Sequence, residues 1–115
     1  MLTIENVSKR FADGTTALRG VDLQAAEGEI VVIVGGSGCG KSTLLRIAAG
    51  LEAPTGGSVR LGGEPIRGPH PKVGMVFQEP RLMPWLTVAG NAAFGLDHLP
   101  RPERRQRVAE ALHAV

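Results

Sequence analysis

The chain has 115 residues, of which 43% are hydrophobic and 21% charged, and its net charge is +2. That length supports one modest core rather than two, and a near-neutral charge with Arg and Lys dispersed gives no electrostatic footprint for nucleic acid. No run approaches the roughly 20 apolar residues of a membrane span. The start, Met1-Leu2-Thr3-Ile4-Glu5, lacks the regions of a signal peptide, and the one cysteine, Cys39, cannot close an internal disulfide, which fits a reducing cytosol.

In chain order, two alternating apolar runs come first, Leu2 to Val7 and Ala17 to Leu23. Asp13-Gly14 lies between them and predicts a hairpin, because both residues tolerate positive φ. Glu27-Gly28 predicts a second turn. Ile30-Val31-Val32-Ile33-Val34 is continuous and β-branched, the pattern of a strand covered on both faces in a parallel sheet. Gly35-Gly36-Ser37-Gly38-Cys39-Gly40-Lys41-Ser42-Thr43 follows at once. Then come helical residues from Leu44 to Ala49, with Gly50 placed to cap their C-terminal end.

Pro54 to Ser58 reads as a turn and Ser58 to Leu61 as a short strand, with further breaks at Gly62-Gly63 and Gly68-Pro69-His70-Pro71. Val73 to Phe77 predicts another buried strand, and Gln78 to Leu86, with Pro80 and Pro84, a loop. From Thr87 the pattern turns helical. Pro102 suits the first turn of a final helix, along which Val108, Leu112 and Val115 recur at helical spacing. No stop signal follows Val115, so the chain is expected to be the first portion of a longer one.

Gly35-x-x-x-x-Gly40-Lys41-Ser42 matches the phosphate-loop pattern. Glycines let successive N–H groups turn inward as an anion nest. The helix that begins near Lys41 points its positive end at the same place. Lys41 is expected to reach the β- and γ-phosphates, the Ser42 hydroxyl to ligate Mg2+, and Thr43 to lie near the α-phosphate. The competing reading is a glycine-rich turn that happens to hold a lysine. A predicted buried strand before it and a helix after it favour the phosphate loop. Cys39, at a helix N-terminus beside Lys41, is expected to have a lowered thiol pKa.

The segment Val34 to Leu45 resembles the Walker A segment of ATP-binding-cassette (ABC) ATPases. So do its prelude, Gly20-Val21-Asp22-Leu23 and Glu27-Gly28-Glu29, and the later Ala49-Gly50-Leu51 and Pro54-Thr55-Gly56-Gly57. Val76-Phe77-Gln78-Glu79 resembles the family's Q-loop. The stretch from Gln78 to Val88 is similar to the subgroup that drives uptake of nitrate, sulfonates, taurine or related small anions. Gly90 departs from the family pattern, which often has an acidic residue there to complete a capping box with Thr87; Thr87 can still cap.

The resemblance implies an α/β fold: a P-loop NTPase core of ABC type, with an N-terminal antiparallel β subdomain and the start of the helical subdomain, truncated. On it, 1–28 begins the β subdomain, 29–78 is the P-loop core to the Q-loop, and 79–115 is the Q-loop exit and the start of the helical subdomain. It implies nucleotide binding by Phe11, Gly35, Gly36, Ser37, Gly38, Cys39, Gly40, Lys41, Ser42, Thr43 and Gln78, with ATP and Mg2+ as cofactors and Ser42 and Gln78 as metal ligands. Phe11 stands where the family has an aromatic that stacks on adenine; read alone, it is a hairpin core residue. Gln78, read alone, is a polar loop residue.

The implied partners are a transmembrane permease subunit contacting Gln78 to Trp85, a second nucleotide-binding subunit, and indirectly a solute-binding protein; nucleic acid is not among them. The implied location is the cytoplasmic face of the membrane. Leu82, Met83 and Trp85 suit a permease contact, the alternative being that Trp85 closes the core. Hydrolysis in the family also needs an LSGGQ-type signature, a strand ending in Asp-Glu and a switch His, none of which these residues contain. His70, His98 and His113 follow no catalytic strand. The expectation is therefore an ATP-driving importer subunit whose 115 residues do not hydrolyse ATP by themselves. A non-hydrolysing ATP-binding fragment and a non-transport ABC ATPase are the alternatives. A kinase or GTPase comes last, because no guanine-reading Asn-Lys-x-Asp is present.

Overall fold

A computed structural model describes every residue of the chain except Ser37, Cys39 and Pro80. It divides into two compact units, Met1–Met75 and Val76–Val115, which are described separately.

In the first unit, β1 (Leu2–Arg10) and β2 (Thr16–Ala25) form the hairpin expected from Asp13-Gly14. Gly14 has φ 91, and the Asp13 carboxylate accepts the Thr15 N–H at 2.9 Å. β3 (Gly56–Leu61) adds antiparallel to the other edge of β1, and the short β4 (Glu64–Pro65) pairs with β3, giving the order β2-β1-β3-β4. α1 (Lys41–Ala48) lays its apolar stripe on this sheet. Leu44 and Ile47 from the helix pack with Ile4, Val7, Leu18, Val59 and Ile66 in the core.

The end of α1 is fixed by local chemistry. Gly50 takes φ 78 just past the C-cap; its N–H bonds the Ile47 carbonyl at 3.1 Å and the Leu51 N–H bonds the Arg46 carbonyl at 2.9 Å. This crossed pair satisfies carbonyls that a helix end leaves open. A Cβ on Gly50 would also collide with the Gly68 carbonyl. The position therefore needs glycine for both backbone angle and space.

Two expectations fail in the described residues. Ile30 to Val34 and Val73 to Phe77 have strand sequences but form no strand. They are not buried either: Val34 is 88% exposed and Val76 98%. A parallel strand is held by neighbours that take its N–H and C=O groups and cover its faces. No described segment pairs with these runs, and the sheet that does form is wholly antiparallel. An apolar β-branched run records the burial a segment suits; the pairing itself must come from other strands.

The second unit holds α2 (Val88–Ala92) and α3 (Arg101–His113), neither with a buried residue. Thr87 caps α2 as expected, its hydroxyl accepting the Gly90 N–H at 3.0 Å. Pro102 lies in the first turn of α3. Val108 is half-buried, whereas Val115 lies past the helix and is fully exposed. Among the described residues no helix is long and apolar enough to cross a membrane.

Candidate functional site

The candidate site is built at the turn end of the β1–β2 hairpin. Gly40, with φ 91, is the residue from which α1 starts. A Cβ there would meet the Ala17 carbonyl oxygen at 2.6 Å and a Leu18 methyl at 2.9 Å. The loop thus runs directly against β2, and only glycine permits both the angle and the contact. Gly38 also has positive φ, 79. Gly35 and Gly36 precede it in exposed, irregular backbone.

Lys41 reaches back over this loop. Its ammonium donates to the Gly35 carbonyl and lies 3.4 Å from the Gly36 carbonyl. These bonds hold the charge over the loop rather than out in solvent. An ammonium has three donors, so bonds to two carbonyls leave one for a ligand. Among the described residues the helix start carries no compensating group: Gly40 offers no side-chain cap and the first turn has no acidic residue. Its free N–H groups and dipole therefore favour an anion at this point.

Ser42 is exposed in the first turn, whereas Thr43 is buried at 7% exposure. The two adjacent hydroxyl residues, alike in sequence, thus sit in different environments. Among the described residues no cluster of three or more His, Cys, Asp or Glu could hold a metal ion. Ser42 alone suits a cation that takes its other ligands from phosphates and water, as Mg2+ does. Ser37 and Cys39, both expected in the loop, lie outside the described residues, and with Cys39 its expected thiol shift.

Phe11 follows β1 and is half-buried; its N–H bonds the Thr15 carbonyl at 2.8 Å and its carbonyl accepts the Gly14 N–H at 2.9 Å. The register pairs Arg10 with Thr16 and Lys9 with Leu18, and it is against Ala17 and Leu18 that Gly40 rests. Strand pairing therefore brings Phe11 and the loop to the same end of the hairpin. Phe11 does not join the core cluster.

Gln78 is exposed and belongs to the second unit. In that unit Leu82 and Trp85 are 72% and 77% exposed, so Trp85 does not close a core, and Met83 is half-buried. The Arg81 guanidinium lies over the Phe77 ring, 4.1 Å from its centroid. Arg81, Leu82, Met83, Pro84, Phe94 and Leu112 are among the residues that line an apolar groove of about 500 Å³.

Two contributors escaped the sequence reading. Asn91 organises the loop before α2: its Oδ1 accepts the Met83 N–H at 2.7 Å, and its Nδ2 donates to the carbonyls of Met83, Leu86 and Thr87 at 3.0 to 3.3 Å. A lone Asn in a helical pattern carries no signal of this. Lys9 is the other; its partners, Glu52 and Ala53, are distant in sequence, so local pattern could not find them.

Residues 18–115 match a family model described as ABC transporter. The aliphatic sulfonates import ATP-binding protein of Burkholderia lata is 50% identical over 109 residues, covering 95% of this chain and 39% of that one. The taurine import ATP-binding protein of Chromobacterium violaceum is 46% identical over 117 aligned positions, covering 99% and 45%. Among solved structures, the dimeric bacterial ABC transporter cassette MJ0796 superposes with a TM-score of 0.88 at 35% identity, covering 98% of this chain and 56% of that one. The chain thus spans about half or less of the length of these relatives.

Proposed function

The chain belongs to the ABC transporter family, and on that premise we propose that it is the nucleotide-binding first portion of an ATP-driving importer subunit. The observation that carries this reading is the Gly40–Lys41 arrangement. A positive-φ glycine seats the loop on β2, and the lysine ammonium is held over loop carbonyls at an uncapped helix start. Such a cradle binds a polyphosphate by N–H groups, dipole and one fixed charge acting together.

In this reading Gly35, Gly36, Ser37, Gly38, Cys39 and Gly40 wrap the phosphates. Lys41 turns its ammonium from the Gly35 and Gly36 carbonyls to the β- and γ-phosphates, and Phe11 stacks on the base. Ser42 supplies one oxygen to the metal and Gln78 another, with Thr43 contributing near the α-phosphate. Bound Mg2+ would neutralise phosphate charge and orient the terminal phosphate. The domain plan proposed is the one the resemblance implies: 1–28 for the β subdomain, 29–78 for the P-loop core and 79–115 for the start of the helical subdomain.

The uptake role rests on the relatives, whose names are those of sulfonate and taurine importers. The cargo class proposed is therefore a small anion of the nitrate, sulfonate or taurine kind. Exposed Leu82 and Trp85 support a contact with a permease subunit near Gln78 to Trp85. The dimeric state of the MJ0796 cassette supports pairing with a second nucleotide-binding subunit. A solute-binding protein then takes part through the permease, and the subunit lies peripherally on the cytoplasmic face of the membrane. Hydrolysis needs groups that position water against the γ-phosphate, and these 115 residues contain none of the family's motifs for it.

The test is calorimetric titration with MgATP. Lys41→Ala should weaken binding at least about tenfold, the equivalent of roughly 1.4 kcal/mol for one lost charge-assisted contact. Equal affinity in the two proteins would overturn the assignment of the loop. Phosphate release by these residues alone should not exceed that of the Lys41→Ala control.

A further inference from the structure

Lys9 is a surface-type residue in an unusual setting. Its side chain is only 15% exposed, and its ammonium is held from two directions. It pairs with a Glu52 carboxylate oxygen at 3.1 Å and donates to the Ala53 carbonyl at 2.8 Å. From there it lies 5.3 Å from the centroid of the Phe11 ring. An ammonium at this distance over a ring face is attracted to the ring quadrupole.

The partners come from the strap that follows the phosphate-loop helix. That strap clasps the end of β1 at a second place: the Thr55 N–H bonds the Ser8 carbonyl at 2.8 Å, and the Thr55 hydroxyl accepts the Arg10 N–H at 2.9 Å. Residues 52–55 therefore fix the backbone on both sides of Lys9. The clasp and the ion pair together set where the Lys9 ammonium stands, and so which position of the Phe11 ring is favoured.

We propose that Lys9 is a positioning residue for nucleotide binding: held by Glu52 and the Ala53 carbonyl, its ammonium backs one face of Phe11 and fixes the ring to present the opposite face to the base. The inference rests on the reading of 35–43 as the phosphate site and of Phe11 as the base platform. A ring already held in place loses less rotational freedom when a base stacks on it. Because Lys9 is paired with Glu52, its charge is spent locally. Its effect should therefore fall on the base and not on the phosphates.

The test compares Mg-bound ATP with Mg-bound inorganic tripolyphosphate, which has the phosphates and no base. Lys9→Met should weaken ATP binding roughly three- to tenfold, the range expected of one cation–π contact, and leave tripolyphosphate unchanged. Lys9→Arg, which keeps a cation over the ring, should restore most of the ATP affinity. In a Phe11→Leu background, Lys9→Met should have no further effect on ATP. Glu52→Gln, which keeps the Lys9 stem and its bond to Ala53, should give a smaller loss in the same direction and guards against a folding defect in Lys9→Met. An unchanged ratio of ATP to tripolyphosphate affinity, or an equal loss of both, would overturn the role of Lys9. If the unmodified protein binds neither ligand, the phosphate-site reading itself fails.

Discussion

The two units of this chain are held together by different means. In residues 1–75 a helix and three strands bury Ile4, Val7, Leu18, Leu44, Ile47 and Val59 against one another. In residues 76–115 neither helix has a buried residue, and the clearest organising element is polar, the amide of Asn91 bonded to the loop that precedes its own helix. Burial of apolar area is the larger stabilising term in folding, and net hydrogen-bond contributions are modest. The first unit should therefore be the firmer, with Gly40 and the start of α1 seated on it. Leu82 and Trp85, both exposed, lie in the softer unit, the usual place for elements that move or dock.

Substitutions can break or sharpen this contrast. Ile47→Ala should have the largest effect, about 2–5 kcal/mol lost from the first unit, because Ile47 is 1% exposed and its removal leaves a cavity. Urea unfolding followed by circular dichroism would measure it; a loss below about 1 kcal/mol would show that the core is not what holds this unit. Gly50→Ala should come next. The left-handed backbone costs an alanine about 1–2 kcal/mol, and displacement of the Gly68 carbonyl adds to that.

Asn91→Ala tests the polar arrangement. It should cost about 1–2 kcal/mol locally, since several partly exposed hydrogen bonds disappear together. Amide exchange of Met83, whose N–H bonds to Oδ1, should quicken; unchanged exchange there would show that the loop holds itself. Gly90→Ala should give the smallest change and the opposite sign. Gly90 has no positive φ, so alanine should stabilise α2 by up to about 1 kcal/mol. The gain is trimmed by a Cβ contact of 3.2 Å with the Thr87 hydroxyl, which must shift slightly.

What was legible in the sequence followed from local chemistry. Asp13-Gly14 allows a tight reversal, and the hairpin is there. Gly50 permits the left-handed residue that ends α1, and Thr87 offers the hydroxyl that starts α2. The Gly35 to Thr43 pattern marked the loop because its spacing encodes backbone freedom and one lysine. Each of these signals acts within a few residues of its cause, so a linear reading can find it.

Tertiary structure decided the rest, because the partners lie far apart in the chain. The seat of Gly40 on Ala17 and Leu18, the clasp of residues 52–55 on β1 and the hold of Glu52 and Ala53 on Lys9 each join residues tens of positions apart. The unpaired runs Ile30 to Val34 and Val73 to Phe77 make the same point from the other side. Their sequences fix what each run suits by its own side chains, whereas a sheet hydrogen bond needs a second strand, and no property of one strand can supply it.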